Sequence, residues 1–350
     1  MRRIIAFLLM AAMLLSFSAC TRKKTKYTDY SFDFFDTATT IVGYEQSKED
    51  FDRTCAEIKA LLGEYHQLYD IYKRYEGMEN LCTINDLKDG KHQEVQVDRK
   101  IMDLLLYAKA LYTLTDGRMN VAMGSVLSIW HDYRTAGLEE PEKAALPPME
   151  KLRQAAEHTD IEKLILDEEQ STVYLADPAM SLDVGAVAKG YATEQAARFL
   201  EEKGLGGYIL NVGGNVRCVG GRPDGELWSI GIENPDPEQK DRPYIAYLKL
   251  SDQSLVTSGS YQRYYMVEGV PYHHIIDPDT LMPGENFRSV SVLCKDSGKA
   301  DALSTALFNM SYEKGAALVE KSENVEAMWV LPDGEQRFSE GFEKYTYEAK

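Results

Sequence analysis

Cysteine is scarce in this chain: five in 350 residues, at positions 20, 55, 82, 218 and 294, with no CxxC pair. That spacing offers neither a zinc cluster nor a redox dithiol, and it assigns no disulfide. Basic charge is short as well. Lys and Arg number 39 against 56 Asp and Glu, a net charge of −17, and no Lys/Arg cluster is interleaved with aromatics. Such a surface repels polyanions, which excludes nucleic acid as a partner. No internal repeat occurs, and no long Gly-, Ser- or Pro-rich linker interrupts residues 30 to 345. A string of tethered modules is therefore excluded. What is present, 44% hydrophobic and 27% charged residues, supports a large core in one continuous domain over 29–350 with two lobes.

The amino terminus departs from this pattern. Arg2 and Arg3 precede an apolar run from Ile4 to Leu15, then Ser16, Phe17, Ser18, Ala19 and Cys20. Residues 1–19 read as an export signal. The small residues before Cys20 resemble a bacterial lipobox, so lipidation of Cys20 is expected, with the polar stretch to Thr28 (20–28) as a tether. An uncleaved membrane anchor is the alternative, opposed by a run shorter than a bilayer span. Both readings place the domain outside the cytoplasmic membrane.

Periodicity outlines the elements. Tyr30 to Tyr44 reads as one strand. Glu49 to Tyr72 reads as a helix, because Phe51, Cys55, Ile58, Leu62 and Tyr65 recur at helical spacing, and Arg99 to Thr115 repeats the pattern. Short strands are predicted at 164–167, 172–175, 207–212, 216–219, 228–233, 245–250, 255–257, 289–294 and 327–331, with helices at 188–203 and from Asp301. Strands in runs with only some helices between them indicate an α+β fold.

Three segments join reactive side chains to small residues. Leu182 to Tyr191 runs from a strand end into a helix, whose free N–H groups and Lys189 suit phosphate oxygens; an Asp183 cap with an exposed lysine is the structural alternative. Thr257-Ser258-Gly259 leads to His273 and His274, where an imidazole oriented by Asp277 or a distant acid would serve as a base; alternation places the two histidines on opposite strand faces. A sheet or turn role is the competing reading, and a two-histidine metal site is opposed by those divergent directions. In the third segment Asp301 and Thr305 share a helix face, an oxygen pair of the kind Mg²⁺ prefers, unless they only start a helix. Asn211 to Asn215 contains two glycines but precedes a strand, so a dinucleotide-binding turn is rejected.

In order along the chain, Phe35-Asp36-Thr37, Thr115 to Asn120, Leu182 to Tyr191, Asn211 to Asn215, Thr257-Ser258-Gly259, His274 to Pro278 and Ala300 to Thr305 resemble the ApbE family of FAD:protein FMN transferases. The resemblance spans essentially the whole mature chain. It implies a T-fold-like α+β architecture, with mixed or antiparallel sheets flanked by helices and an FAD cleft between two lobes. It implies Mg²⁺ on Asp301, Thr305 and the Ala186 carbonyl, and Asp183, Lys189 and Ile275 lining the FAD site with the Thr257-Ser258-Gly259 segment. Met119, Asn120 and Val121 fall where the family contacts FAD, with Phe35 and Tyr72 beside its rings and His274 as base. The implied reaction is Mg²⁺-dependent transfer of FMN from FAD to a Thr or Ser hydroxyl of an exported acceptor, such as an electron-transfer subunit carrying Asp/Ser-Gly-x-Thr. That pattern is absent from this chain, so the acceptor is a separate protein. Two alternatives remain open: a pyrophosphatase releasing FMN and AMP, and a flavin-binding lipoprotein without chemistry. The family's usual Thr-Gly after Asp-Pro is Thr280-Leu281 here, which predicts a differently built loop.

Overall fold

The computed structural model describes residues 23–86 and 94–348; the export signal and Cys20 lie outside them. β1 (Thr25–Phe34), β2 (Thr37–Glu45) and α1 (Lys48–Tyr69) open the fold. α2 (Leu81–Asp86), β3 (Val95–Gln96), α3 (Arg99–Leu114), α4 (Gly124–Glu139), α5 (Met149–Ala156), β4 (Leu164–Asp167) and β5 (Thr172–Leu175) lead to α6 (Ala188–Glu202). The chain continues through β6 (Tyr208–Val212), β7 (Asn215–Val219), β8 (Trp228–Glu233), β9 (Tyr244–Leu250), β10 (Ser254–Gly259), β11 (Tyr264–Val267), β12 (Val270–His273) and β13 (Ser289–Cys294). α7 (Ser297–Phe308), α8 (Tyr312–Lys321), β14 (Glu326–Val330) and β15 (Gln336–Phe338) complete it.

The central sheet has the order β1-β2-β6-β7-β10-β13-β14-β15, antiparallel at every step and monotonic in sequence. Everything else is inserted between successive strands. The longest insertion, between β2 and β6, supplies α1 to α6; the hairpin of β11 and β12 lies between β10 and β13.

Alternation along the strands sorts side chains into two cores. Ile41, Val212, Val256, Val290 and Val292 join the main cluster with α1, α3, α6 and α7, while Leu255, Leu293 and Met328 pack the other face against Trp228, Leu248 and Leu250 of the β8–β9 hairpin. β13 is consequently buried at every residue. A third cluster, Met123, Val126, Ile129, Trp130, Leu152, Tyr265, Ile276 and Leu281, ties α4 and α5 to the β11–β12 hairpin. This cluster forms the smaller lobe. Each buried side chain of this size contributes about 1.5–3 kcal/mol.

Several expectations change. The predicted strand over Tyr30 to Tyr44 is two strands, broken at Phe35 and Asp36, which both take left-handed backbone (φ 53° and 50°). The tether expected to Thr28 ends earlier, because Thr25 to Thr28 pair with Val42 to Glu45 despite their polarity. His274 lies just past the end of β12 rather than within a strand. Leu281 itself adopts φ 60°, the conformation a glycine would supply, so the turn closes with the leucine in place and its side chain buried.

Candidate active site

A cleft of about 840 Å³ separates the two lobes. It is lined by the β1–β2 turn, the ends of α1 and β10, the start of α6, the β11–β12 hairpin and α7. Volumes in this range accommodate large organic ligands.

The start of α6 is held from both sides. Asn85 binds both backbone groups of Leu182, donating to its carbonyl (2.9 Å) and accepting from its N–H (2.7 Å), which fixes the approach to Asp183. Asp183 Oδ1 then accepts from Gly185 N (2.8 Å), while the Asp183 N–H donates to the Val121 carbonyl (2.8 Å). Lys189 Nζ reaches the Gly185 carbonyl (3.2 Å) and stands 3.8 Å from Asp301 Oδ2.

Asp301 projects from α7 into this corner, and its Oδ2 accepts from Gly190 N (2.8 Å). A side chain at Gly190 would place its Cβ 2.4 Å from the Ser297 carbonyl oxygen and 2.5 Å from Asp301 Cβ. Glycine is thus what lets α6 and α7 approach closely enough to bring these groups together. Asp301 is 4% exposed, and burial pushes its carboxyl above the ordinary range, opposed by Lys189 and the Gly190 N–H. Burial likewise raises Asp183. One turn after Asp301, Thr305 Oγ1 lies 3.4 Å from Ser258 Oγ, which also bonds Ser304 (2.7 Å). Among the described residues no cluster of three His, Cys, Asp or Glu side chains exists. A cation here would need hydroxyl, carbonyl and ligand oxygens beside the single carboxylate.

The two histidines divide their work. His273 is buried, with Nε2 2.8 Å from the Gly284 carbonyl and its ring edge-on to Phe308. His274 faces the cleft, and its Nδ1 lies 3.2 Å from the Arg263 carbonyl. A carbonyl only accepts, so this contact assigns the proton to Nδ1 and leaves the Nε2 lone pair free. The ring is oriented by this backbone oxygen rather than by Asp277, which faces Arg118 (3.4 Å). Desolvation by the cleft walls and the positive charges of Arg263 and Lys189 push His274 down to about 3. Because the ring remains accessible, water in the cleft moderates that shift, but its direction keeps the imidazole neutral.

Of the residues expected at the site, Phe35, Tyr72, Met119, Asn120, Asp183, Ala186, Lys189, Thr257, Ser258, Gly259, His274, Ile275, Asp301 and Thr305 all line the cleft. Val121 does not. It is 1% exposed in the core and acts through its carbonyl on Asp183. The Asn120 amide is already committed to the Thr159 carbonyl and the Ala122 N–H. The Thr257 hydroxyl is paired with Ser291.

Reading the sequence alone missed Arg118, His131, Arg134 and Arg263, which also line the cleft. The helix carrying His131 and Arg134 was not assigned, although Val126, Ile129 and Trp130 show its period. Tyr72 stacks near His131 (centroids 4.8 Å), and His131 in turn contacts Arg134.

A lysine at the start of a helix, a buried carboxylate beside it and a neutral imidazole on the same cleft suit an enzyme that handles phosphate groups. The ApbE family model matches residues 35–329, and the chain belongs to the ApbE family. It is 32% identical over 278 residues to a FAD:protein FMN transferase of Klebsiella pneumoniae, covering 75% of this chain and 81% of that protein. With the FAD:protein FMN transferase of Treponema pallidum it shares 33% identity over 262 residues, 71% of this chain and 70% of that protein. Among solved structures, the ApbE protein of Thermotoga maritima superposes with a TM-score of 0.80 at 28% identity, covering 93% of this chain and all of that one (100%). The flavin transferase ApbE from Vibrio cholerae gives 0.77 at 26% identity, over 92% and 99% of the two chains.

Proposed function

We propose that this chain is a flavin transferase that splits FAD and moves its FMN half onto a hydroxyl of a separate acceptor protein, releasing AMP. The observation that carries the reading is the convergence of Lys189, Asp301, Thr305, Ala186 and His274 on one cleft.

Lys189 holds diphosphate oxygens with a full positive charge, added to the partial positive end of α6. Neutral His274 takes the acceptor hydroxyl proton on Nε2 as that oxygen attacks the FMN phosphorus. The bond from this phosphorus to the bridging oxygen breaks, AMP departs, and a phosphodiester joins FMN to Thr or Ser. Asp301, Thr305 and the Ala186 carbonyl would hold Mg²⁺. Their fit rests on Asp301, a buried carboxylate whose nearest cation, Lys189, stops 3.8 Å away. When bound, the ion neutralises diphosphate charge.

Phe35 and Tyr72 line the cleft and suit the flavin or adenine ring. We place the acceptor, carrying an Asp/Ser-Gly-x-Thr segment, outside the cytoplasmic membrane with this chain, which is held at the bacterial membrane by a lipid on Cys20.

The test mixes the protein with FAD, Mg²⁺ and an acceptor domain bearing that segment. Covalent flavin on the acceptor and stoichiometric AMP are expected. AMP with free FMN and no flavinylated acceptor would instead make the chain a pyrophosphatase. Asp301→Ala is expected to abolish Mg²⁺-dependent turnover, and undiminished turnover would remove Asp301 from the metal site.

A further inference from the structure

The base sits at the end of an unusual hairpin. Tyr265 and Tyr272 pair across β11 and β12, and Tyr265 is anchored through its hydroxyl to the Ala145 carbonyl (3.0 Å). On the opposite face Tyr264 and Met266 are 42% and 44% exposed. Arg263 immediately precedes β11, and its carbonyl orients His274. In the same lobe, Arg134 of α4 is half-buried, and its hydrogen-bonding partner among the described residues is His131.

Neither arginine has a carboxylate within ion-pair distance among the described residues. Arg118 pairs with Asp277 and Asp279, and Arg217 with three acids. In a chain where 56 acids outnumber 39 bases, two unpaired guanidiniums on one cleft are best accounted for by an anion that arrives from outside. They are also close enough to oppose each other: the charge of Arg263 adds to burial in lowering Arg134.

A protein acceptor cannot enter the cleft as FAD does, so it must seat on the rim beside the base. On the hypothesis that the chain transfers flavin, we propose that Arg134, Arg263 and the apolar outer face of the β11–β12 hairpin form the acceptor seat, and that this seat reads a carboxylate next to the acceptor hydroxyl. The Arg263 carbonyl holds His274 and Arg134 lies near enough to Arg263 for their charges to oppose, whereas Lys189 at the start of α6 is assigned to the diphosphate. Guanidinium and carboxylate match in charge and in bidentate geometry.

Two short threonine peptides test this, one with aspartates flanking the threonine and one with asparagines there, titrated against the protein loaded with FAD and Mg²⁺. The aspartate peptide is expected to bind about tenfold tighter, a preference that shrinks with added salt. Arg134→Gln with Arg263→Gln should erase the preference, and the double lysine variant should restore part of it. The loss should fall on peptide affinity while the Kd for FAD, read by flavin fluorescence, stays in place. Equal binding of the two peptides to the wild-type protein, including no binding of either, overturns the proposal. So does a weakened FAD Kd in the double glutamine variant, which would assign the arginines to the diphosphate. Failure of the transferase reading is seen separately, as absence of covalent flavin on the acceptor domain.

Discussion

At the scale of single residues, the proposed base is set by what surrounds it. Its Nδ1 faces a carbonyl and its charged neighbours are cations, so His274 binds a proton less readily than a histidine in an unfolded chain, where the ordinary value is 6.5. Between that value and the lowered one the unfolded state holds more protons, so this residue makes stability rise with pH through that window and fall as pH drops. Transfer rate should accordingly show no loss of base near pH 6.5 and should decline only in more acidic buffer. A pH profile of kcat/KM checks this; a clean inflection near 6.5 would mean the ring is not held neutral. His274→Ala should reduce transfer by roughly 10²- to 10⁴-fold while FAD still binds. Leu281 sets two effects in opposition. Leu281→Gly relieves left-handed strain worth about 1–3 kcal/mol, yet removes a buried side chain whose truncation costs about 2–5 kcal/mol and adds backbone entropy to the unfolded state. Net destabilisation is expected in a denaturant titration, and a stabilised variant would show that strain dominates.

At the scale of elements, the corner proposed for Mg²⁺ depends on α7 starting in the right place. Asp296 caps it, accepting from Lys299 N (2.9 Å), and the same carboxylate accepts from Tyr107 (2.8 Å) and Arg198 (3.1 Å). Asp296→Ala therefore removes a helix cap and the tie from α7 to α3 and α6. A loss of about 1–3 kcal/mol is expected, accompanied by weaker Mg²⁺ dependence because Asp301 and Thr305 ride on the same helix. Thermal melts and a Mg²⁺ titration of turnover measure the two effects. Unchanged Mg²⁺ dependence in a destabilised variant would show that the cap serves stability alone. The helical periods of α1 and α3 were readable because one face of each is buried in the main core: Phe51, Ile58 and Leu62, then Ile101, Leu105 and Ala108, are fully buried. The break at Phe35 and Asp36 was not, since Asp36 is the lone turn-favouring residue in Phe-Phe-Asp-Thr, with no glycine or proline beside it. It is imposed by pairing on both sides.

At the scale of the whole molecule, charge and location matter most. A chain of net charge −17 binding a diphosphate has to draw on local cations, so chelating Mg²⁺ should weaken FAD binding as well as stop transfer. Isothermal titration with and without chelator tests this, and identical affinities would place the ion's role in chemistry alone. Cys20→Ala should release the protein from the membrane fraction, and retention there would favour an uncleaved anchor. The sequence by itself determined the reactive segments, the α+β class and the family, because glycines, hydroxyls and carboxylates at a strand-to-helix junction are local features tied to neighbouring residues. Only the tertiary structure decided which of them meet. Asp301 lies 111 residues from the Gly190 N–H it accepts, and His274 takes its orientation from a carbonyl across a hairpin. Val121, expected at the ligand, acts from the core instead. Such contacts arise from packing between distant elements, and periodicity along a chain carries no record of them.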